Sequence, residues 1–378
     1  MGVKMKTKKI SDKKLSLRKC FLYIPVDKNT IQVRGPEKLF VMQGKNISDI
    51  FFKLYPKLDG TRTIDELLTD LKVSKYDALD IVTKMYEKNF LEEITPHTLL
   101  EFSPSEKILY DRQINFFSIF TDKKFDFQHM LKKSRVAIFD LGRVGSQVLL
   151  SLAISGVGKL IGIDHRNVGK SDIDTFYLKE DIGMKRCDVA YKVCKRVNSN
   201  IQFNGISKKI TSANEITDCL GDVDLAILCQ DGPSILEYQW MNEACLKREI
   251  PWMSARLEGY IGTIGPSIIP YQTACYTCYE LQMKANLLYY DEYLMFEKFL
   301  IRKRIEENEK NYGEMNFFPI VLGNHLAMEA IKSLLNFPTT SPYGKIYLFN
   351  FFTHETSSHE VLKLPTCPSC GVKRPYHV

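Results

Sequence analysis

Apolar positions in the first hundred residues fall in short alternating runs and then take up a helical period. Phe21-Leu-Tyr-Ile-Pro-Val26, Thr30-Ile-Gln-Val-Arg34 and Leu39-Phe-Val-Met-Gln43 are β-prone, with Asp27-Lys-Asn29 and Gly35-Pro36 between them. This pattern predicts a three-stranded meander. Ile50, Phe51, Leu54 and Leu58 then recur at helical spacing behind Ser48, an expected N-cap. Thr63-Ile-Asp-Glu66 has the form of a capping box and opens a short helix to Leu71. Ser74 is placed to cap a third helix, in which Ala78, Ile81, Val82, Met85 and Tyr86 make one apolar stripe. Three strands and three helices over residues 20–95 predict a winged-helix-like domain large enough to fold alone. Residues 96–106 read as a linker.

Past the linker the pattern becomes strand–helix–strand, the mark of a parallel α/β sheet. Arg135-Val-Ala-Ile-Phe139 is a buried strand, followed by Gly142, Gly145 and an apolar helix from Ser146 to Ile154. Lys159-Leu-Ile-Gly-Ile-Asp164 is the next strand, and Asp224-Leu-Ala-Ile-Leu-Cys229 another, with Asp231 just beyond it. A strand, a glycine turn, a helix and a strand ending in an acid form the unit that holds nucleotides. Amides at the helix start face phosphates, and the acid takes ribose hydroxyls. Asp164 lies 22 residues after Gly142, near the spacing of ~20 for that role. A glycine pair also serves plain helix–sheet packing, and an Asp after a buried strand also caps the next helix.

With 378 residues, 44% hydrophobic and 26% charged, the chain has the makeup of a two-domain globular protein. No apolar run reaches the ~20 residues that span a bilayer, and no signal peptide opens the chain, so a cytoplasmic protein without membrane contact is expected. The formal charge of +7 sits in residues 1–19, which hold eight basic residues against Asp12. Such an arm reads as a disordered, solvated end, and the remainder is balanced.

Four of the ten cysteines stand in two pairs, Cys275-Tyr-Thr-Cys278 and Cys367-Pro-Ser-Cys370. A Cys-x-x-Cys turn aims two thiolates at one ion, and two such turns complete a tetrahedral zinc site. Four thiolates leave no open position, so the Zn2+ expected here is structural. Unrelated pairs or a redox disulfide are the alternatives. The other six cysteines show no framework spacing and read as reduced thiols.

Residues 107–378 resemble the ThiF/MoeB/E1 superfamily, which adenylates carboxylates with ATP and magnesium. The resemblance rests on Tyr110-Asp-Arg-Gln113, Ser155-Gly-Val-Gly-Lys-Leu160, Asp181-Ile-Gly-Met-Lys185, Asp231 in the place of the family's catalytic aspartate, and Thr263-Ile-Gly-Pro266 before the first cysteine pair. It implies an E1-like Rossmann-type domain with a nucleotide site at Gly142, Gly145, Asp164, Lys185 and Asp231. Three departures make that site vestigial in expectation. Asp140-Leu-Gly-Arg-Val-Gly145 puts an acid at the first glycine of the phosphate loop, where it would repel a triphosphate. Asp164-His-Arg166 loses the second acid of a D-x-D, and Thr175 stands where the family has an arginine on the transferring phosphates. ATP/Mg2+ are therefore not expected as cofactors, and no residue is expected to be catalytic.

The front domain resembles the precursor-peptide recognition element of enzymes that modify ribosomally made peptides (RiPPs), similar to the chaperone PqqD. The resemblance implies that a leader peptide adds a strand beside Leu39, Phe40, Val41, Met42 and Gln43 and packs on Tyr76, Leu79, Asp80, Thr83 and Lys84 of the third helix. Fused to an ATP-deficient E1-like domain, it resembles the Ocin-ThiF-like partners of YcaO cyclodehydratases in thiopeptide and azole-containing bacteriocin pathways. The implied function is a leader-binding scaffold, not catalytic on its own, that delivers precursor to the YcaO subunit and forms a homodimer. The competing expectation is an active enzyme of the microcin C or pantocin type, adenylating a carboxylate of a bound peptide. A DNA-binding winged helix is disfavoured, because Lys75, Asp77, Asp80, Lys84, Glu87 and Lys88 balance one another on the third helix.

Overall fold

A computed structural model describes residues 9–36, 39–71, 73–94, 102–121, 124–230, 234–303, 313–337 and 342–371. The chain divides into two compact units, residues 1–129 and 130–378.

The first unit holds the expected meander. Strands β2 (Leu22–Asp27), β3 (Thr30–Arg34) and β4 (Leu39–Gln43) pair antiparallel in the order β2-β3-β4. Helices α1 (Ile47–Leu54), α2 (Ile64–Thr69) and α3 (Lys75–Glu87) follow. The capping box at Thr63 and Glu66 is formed, and Ser74 caps α3 through the Asp77 amide. Their apolar stripes close one core, with Phe51, Leu54, Ile64, Val82, Met85 and Phe90 buried at its centre.

Three expectations are corrected. The residues expected to form a disordered arm include strand β1 (Lys14–Leu17), which lies between β5 (Asp59–Thr63) and β6 (Leu91–Glu93) in a second three-stranded sheet. Leu15 is buried there, and Lys13 Nζ donates to Tyr86 Oη and Glu93 Oε2, so lysines placed on the wet side conceal a strand. Helix α1 starts after Asn46, which is left-handed with φ 53°, whereas Ser48 lies inside the helix and is buried. That helix also stops at Leu54 rather than Leu58, because Pro56 follows and the backbone tightens into a 3₁₀ turn over Tyr55–Lys57. The unit continues with α4 (Pro104–Phe117), and α5 (Lys124–Lys133) leads into the second unit. The expected linker lies largely outside the described residues, at 95–101.

The second unit is an eight-stranded mixed sheet. Its parallel part comprises β7 (Arg135–Phe139), β8 (Lys159–Ile163), β9 (Gln202–Ile206), β10 (Leu225–Gln230) and β11 (Trp252–Glu258). Antiparallel β12 (Ile261–Ile264), β13 (Lys345–Asn350) and β14 (Glu355–Glu360) extend it, in the order β14-β13-β12-β11-β10-β7-β8-β9. Helices α6 (Arg143–Ile154), α7 (Arg186–Val197), α8 (Ala213–Leu220) and α9 (Leu236–Arg248) are the crossovers. Helices α10 (Tyr276–Ala285), α11 (Tyr290–Lys303) and α12 (Phe318–Leu334) come from the second half. The continuously apolar strands β7 and β10 are covered on both faces, as parallel sheets require. Strand order reverses between β7 and β10, and ligands of open α/β sheets bind in the crevice outside such a reversal.

Candidate functional site

The loop that leaves β7 for α6 lies at that reversal. Gly145 packs so closely on the turn that an added Cβ would stand 1.9 Å from the Asp140 carbonyl oxygen, so only glycine fits. Gly142 is the N-cap of α6. Asp140 takes a left-handed backbone, φ 72°, and turns its carboxylate back to accept the Gly142 N–H at 2.7 Å. The next residue is fastened at both polar groups. Leu141 N–H donates to Asp164 Oδ2 at 3.0 Å, and its carbonyl accepts from the buried Tyr177 hydroxyl at 2.6 Å.

Asp164, at the end of β8, is buried among donors rather than presented to a ligand. Its Oδ1 accepts the Arg166 backbone N–H at 2.8 Å and Nε at 2.9 Å. Its Oδ2 takes Arg166 Nη2 at 2.8 Å and Arg186 Nη1 at 3.1 Å. Arg166 also binds Asp140 Oδ1, and Arg186 forks onto Asp172 with two contacts of 2.8 Å. Burial opposes ionisation of Asp164. The hydrogen bonds and charge of Arg166, with the charge of Arg186, outweigh it and hold the carboxyl well below the usual range. Three carboxylates (Asp140, Asp164, Asp172) meet two guanidiniums (Arg166, Arg186), a formal total of −1. The sequence alone presents Asp140 as a bare repelling charge. In the fold it is paired with the Gly142 amide, Arg166 and Arg186.

Lys185 precedes α7, is exposed, and donates to the His165 carbonyl at 3.2 Å. Thr175 is exposed and accepts from the buried Gln147 amide at 3.3 Å. Asp231 lies outside the described residues. The turn of Gly142 and Gly145 and the end of β8 at Asp164 are thus tied together, Lys185 reaches only the His165 carbonyl, and Arg166 and Arg186, which bind Asp164, carry no sequence signal apart from the D-x-D departure at position 166.

A second cluster joins chain segments about ninety residues apart. Cys275 is the N-cap of α10 and Cys278 lies in its first turn. With Cys367 and Cys370 they form a buried set whose sulfurs all lie within 4.8 Å of one another. Individual separations are 3.9 Å for Cys275–Cys278, 3.6 Å for Cys275–Cys367 and 3.5 Å for Cys278–Cys370. A tetrahedron of ~2.3 Å zinc–sulfur bonds sets its sulfurs ~3.8 Å apart, so the donor set fits that ion. Burial pushes the Cys275 thiol up to about 11, so a thiolate set here calls for a compensating cation.

On the first unit, the ten expected peptide-contact residues divide into two groups. Leu39 and Val41 are more than half exposed and Gln43 is exposed, whereas Phe40 and Met42 pack against the core. Gly44 N–H donates to Asn29 O at 3.0 Å, one step beyond the Thr30–Gln43 pair. Antiparallel alternation then turns the backbone of Met42 and Phe40 toward β3, and that of Leu39, Val41 and Gln43 toward the outer edge. On α3, Tyr76 is 83% exposed and Asp80 pairs with Lys84 at 2.6 Å. Leu79 packs against the core, and the half-buried Thr83 hydroxyl donates to the Leu79 carbonyl at 2.7 Å. Phe40 meets Phe90, just past the end of α3, edge to face with centroids 5.0 Å apart.

The same meander has a second edge, and it is guarded. Continuing the alternation across β3 turns Tyr23 and Pro25 of β2 outward, so Pro25 removes a donor there, and a bulge follows before Asp27.

Comparison with known proteins places these features. The model of the ThiF family matches residues 110–371. The chain is 27% identical to the sulfur carrier protein ThiS adenylyltransferase of Escherichia coli K12, over 69% of this chain and 94% of that one. It is 28% identical to the molybdopterin-synthase adenylyltransferase of the same strain, over 72% and 100%. Among solved structures, E. coli MccB with AMPCPP and selenomethionine-labelled MccA superposes with a TM-score of 0.70 at 19% identity, covering 95% of this chain and 99% of that one. The microcin C7 biosynthetic enzyme MccB in complex with N-formylated MccA gives 0.70 at 20%, covering 94% and 99%. The ThiF family model thus covers residues 110–371, and the likeness of fold to MccB extends over nearly the whole chain.

Proposed function

This chain belongs to the ThiF family, and we propose that it is a leader-peptide-binding scaffold of ribosomal peptide modification. In this reading the first unit captures the leader of a precursor peptide by strand addition to β4. The chain then presents the core of that peptide to a YcaO-type cyclodehydratase. The observation that carries the proposal is the pair of unequal edges on the β2-β3-β4 sheet. β4 offers outward amides at Leu39, Val41 and Gln43 beside exposed Leu39 and Val41 side chains, while Pro25 blunts β2. One donor-bearing edge is what peptide capture by β-augmentation requires. Likeness to MccB, solved with MccA, is in keeping with this reading because it includes the unit that carries the edge. Holding the leader raises the concentration of the core at the partner's active site. Nucleic acid is not the expected partner, since Lys75 and Lys84 of α3 are already paired with Asp65 and Asp80 at 2.6 Å. A PqqD-like role for the first unit, a cytoplasmic location and a homodimer belong to the same proposal. Light scattering at twice 43.6 kDa is the test of the dimer.

In this reading the four-cysteine cluster holds structural Zn2+ and fastens the last described segment to α10. The nucleotide crevice is vestigial, which the network around Asp140 and Asp164 supports. A second reading, adenylation of a peptide carboxylate, draws on the adenylyltransferase relatives and on the exposed Lys185. Two measurements separate them. Fluorescence polarisation with a labelled candidate precursor peptide should show saturable binding, and ATP–pyrophosphate exchange with that peptide should remain at background. Robust exchange that Asp231→Ala abolishes would make the protein an adenylating enzyme. Absence of leader binding by a folded chain would defeat the scaffold reading.

A further inference from the structure

We infer that Asp140 and Arg166 form a matched latch that fills the crevice at the start of α6 with the chain's own charges and thereby excludes phosphate esters. The inference rests on the vestigial-site reading and gives it a reversible cause.

A helix start attracts an anion, because its first amides point outward unpaired and the helix dipole is positive there. Here the anion is built in. The left-handed backbone at Asp140 lets its carboxylate fold onto the Gly142 amide at 2.7 Å, directly at the N-cap of α6. Its charge is answered from across the crevice by Arg166, whose side chain is 15% exposed and whose fork also covers both oxygens of Asp164. Arg186 approaches from behind, 3.8 Å from Asp140 and 3.1 Å from Asp164. Two functions of a nucleotide site are thus satisfied internally. The amide that would meet a phosphate meets Asp140, and the acid that would meet ribose hydroxyls meets Arg166.

Neither member acts alone. Removing Asp140 leaves the Arg166 fork on Asp164, so the ribose side stays covered. Removing the Arg166 side chain uncovers the outer face of Asp164, whose Oδ2 keeps Leu141 N–H and Arg186 Nη1, but leaves the Asp140 carboxylate at the helix start, now less compensated and more repulsive to phosphate. Opening the crevice requires both changes, a non-additive pattern expected of residues that touch. Glycine at position 140 also suits the positive φ.

The test is equilibrium dialysis of radiolabelled Mg·ATP against the full-length protein, the Asp140→Gly and Arg166→Ala single variants, and the double variant, with melting curves for each. The double variant should bind at least ~10-fold more tightly than the wild type, while each single variant gains less than ~3-fold, a departure from additivity of the size touching residues show. If the double variant melts early, Asp140→Asn with Arg166→Gln removes both charges while keeping their shapes, and the same criteria apply to it. Wild-type binding as tight as that of the double variant overturns the inference. So does a folded double variant that gains nothing. Loss of leader binding by the wild type would defeat the scaffold proposal and leave the latch standing.

Discussion

Val41→Pro is the most direct test of peptide capture at β4. The Val41 amide faces outward by the alternation set at Gly44 and Asn29, so the β3–β4 ladder does not use it. Its side chain is 55% exposed, so little core packing is lost. Proline there deletes one donor toward the added strand and leaves a peptide carbonyl facing a ring carbon. An acceptor desolvated without a partner costs ~1–3 kcal/mol. At 1.4 kcal/mol per tenfold, affinity should fall roughly fivefold to 150-fold. Met42→Pro is the contrasting change, because the Met42 amide faces Ile31 within the sheet and the side chain packs against the core. It should lower the melting temperature, whereas Val41→Pro should melt close to wild type. The assay is fluorescence polarisation of the labelled precursor peptide, with circular dichroism melts of both variants. A Val41→Pro protein that melts normally and binds as tightly as wild type refutes strand addition at this edge.

Two further outcomes follow from local geometry. Cys367→Ser should take zinc from about one per chain to none by elemental analysis, and should lower the denaturation midpoint, since metal binding and folding are linked in such sites; a metal-free, fully stable wild type would remove the zinc proposal. Gly145→Ala drives a Cβ to 1.9 Å from the Asp140 carbonyl oxygen, so urea denaturation should show a loss on the ~1–3 kcal/mol scale of overpacking, and an unchanged midpoint would show that the turn yields more easily than its packing implies.

Periodicity read well wherever one face of an element meets a core. The alternation in Thr30–Arg34, the stripe of Ala78, Ile81, Val82 and Met85, and the apolar runs of β7 and β10 have no other stable placement, and the structure uses them as expected. The missed strands share a physical cause. β1 and β6 are short strands whose apolar positions sit among lysines and glutamates, so composition outweighed alternation. They are stabilised by pairing with each other across more than seventy residues, and a window moving along the chain cannot register that. The two cysteine pairs were legible for the opposite reason. Each Cys-x-x-Cys turn states its chemistry locally, and only their meeting, shown by sulfurs within 4.8 Å, had to wait for the fold.

The nucleotide crevice divides in the same way. Gly145 and Asp164 were recognisable from position, but Asp140 and Arg166 looked like two separate losses 26 residues apart. Decay of an unused site has no tendency to match one acquired charge with an opposite one. It should leave a buried group unpaired, which is costly, or replace it by an apolar residue. Here the acid at the loop and the base beyond β8 meet, the base also covers the remaining acid, and the loop between them is pinned at its amide and its carbonyl. On the scaffold proposal, a family member that keeps the fold and the cysteine cluster while its own charges occupy this loop would use the domain as a platform. That proposal puts the selective contacts on the first unit, where the outward amides of β4 lie beside exposed Leu39 and Val41.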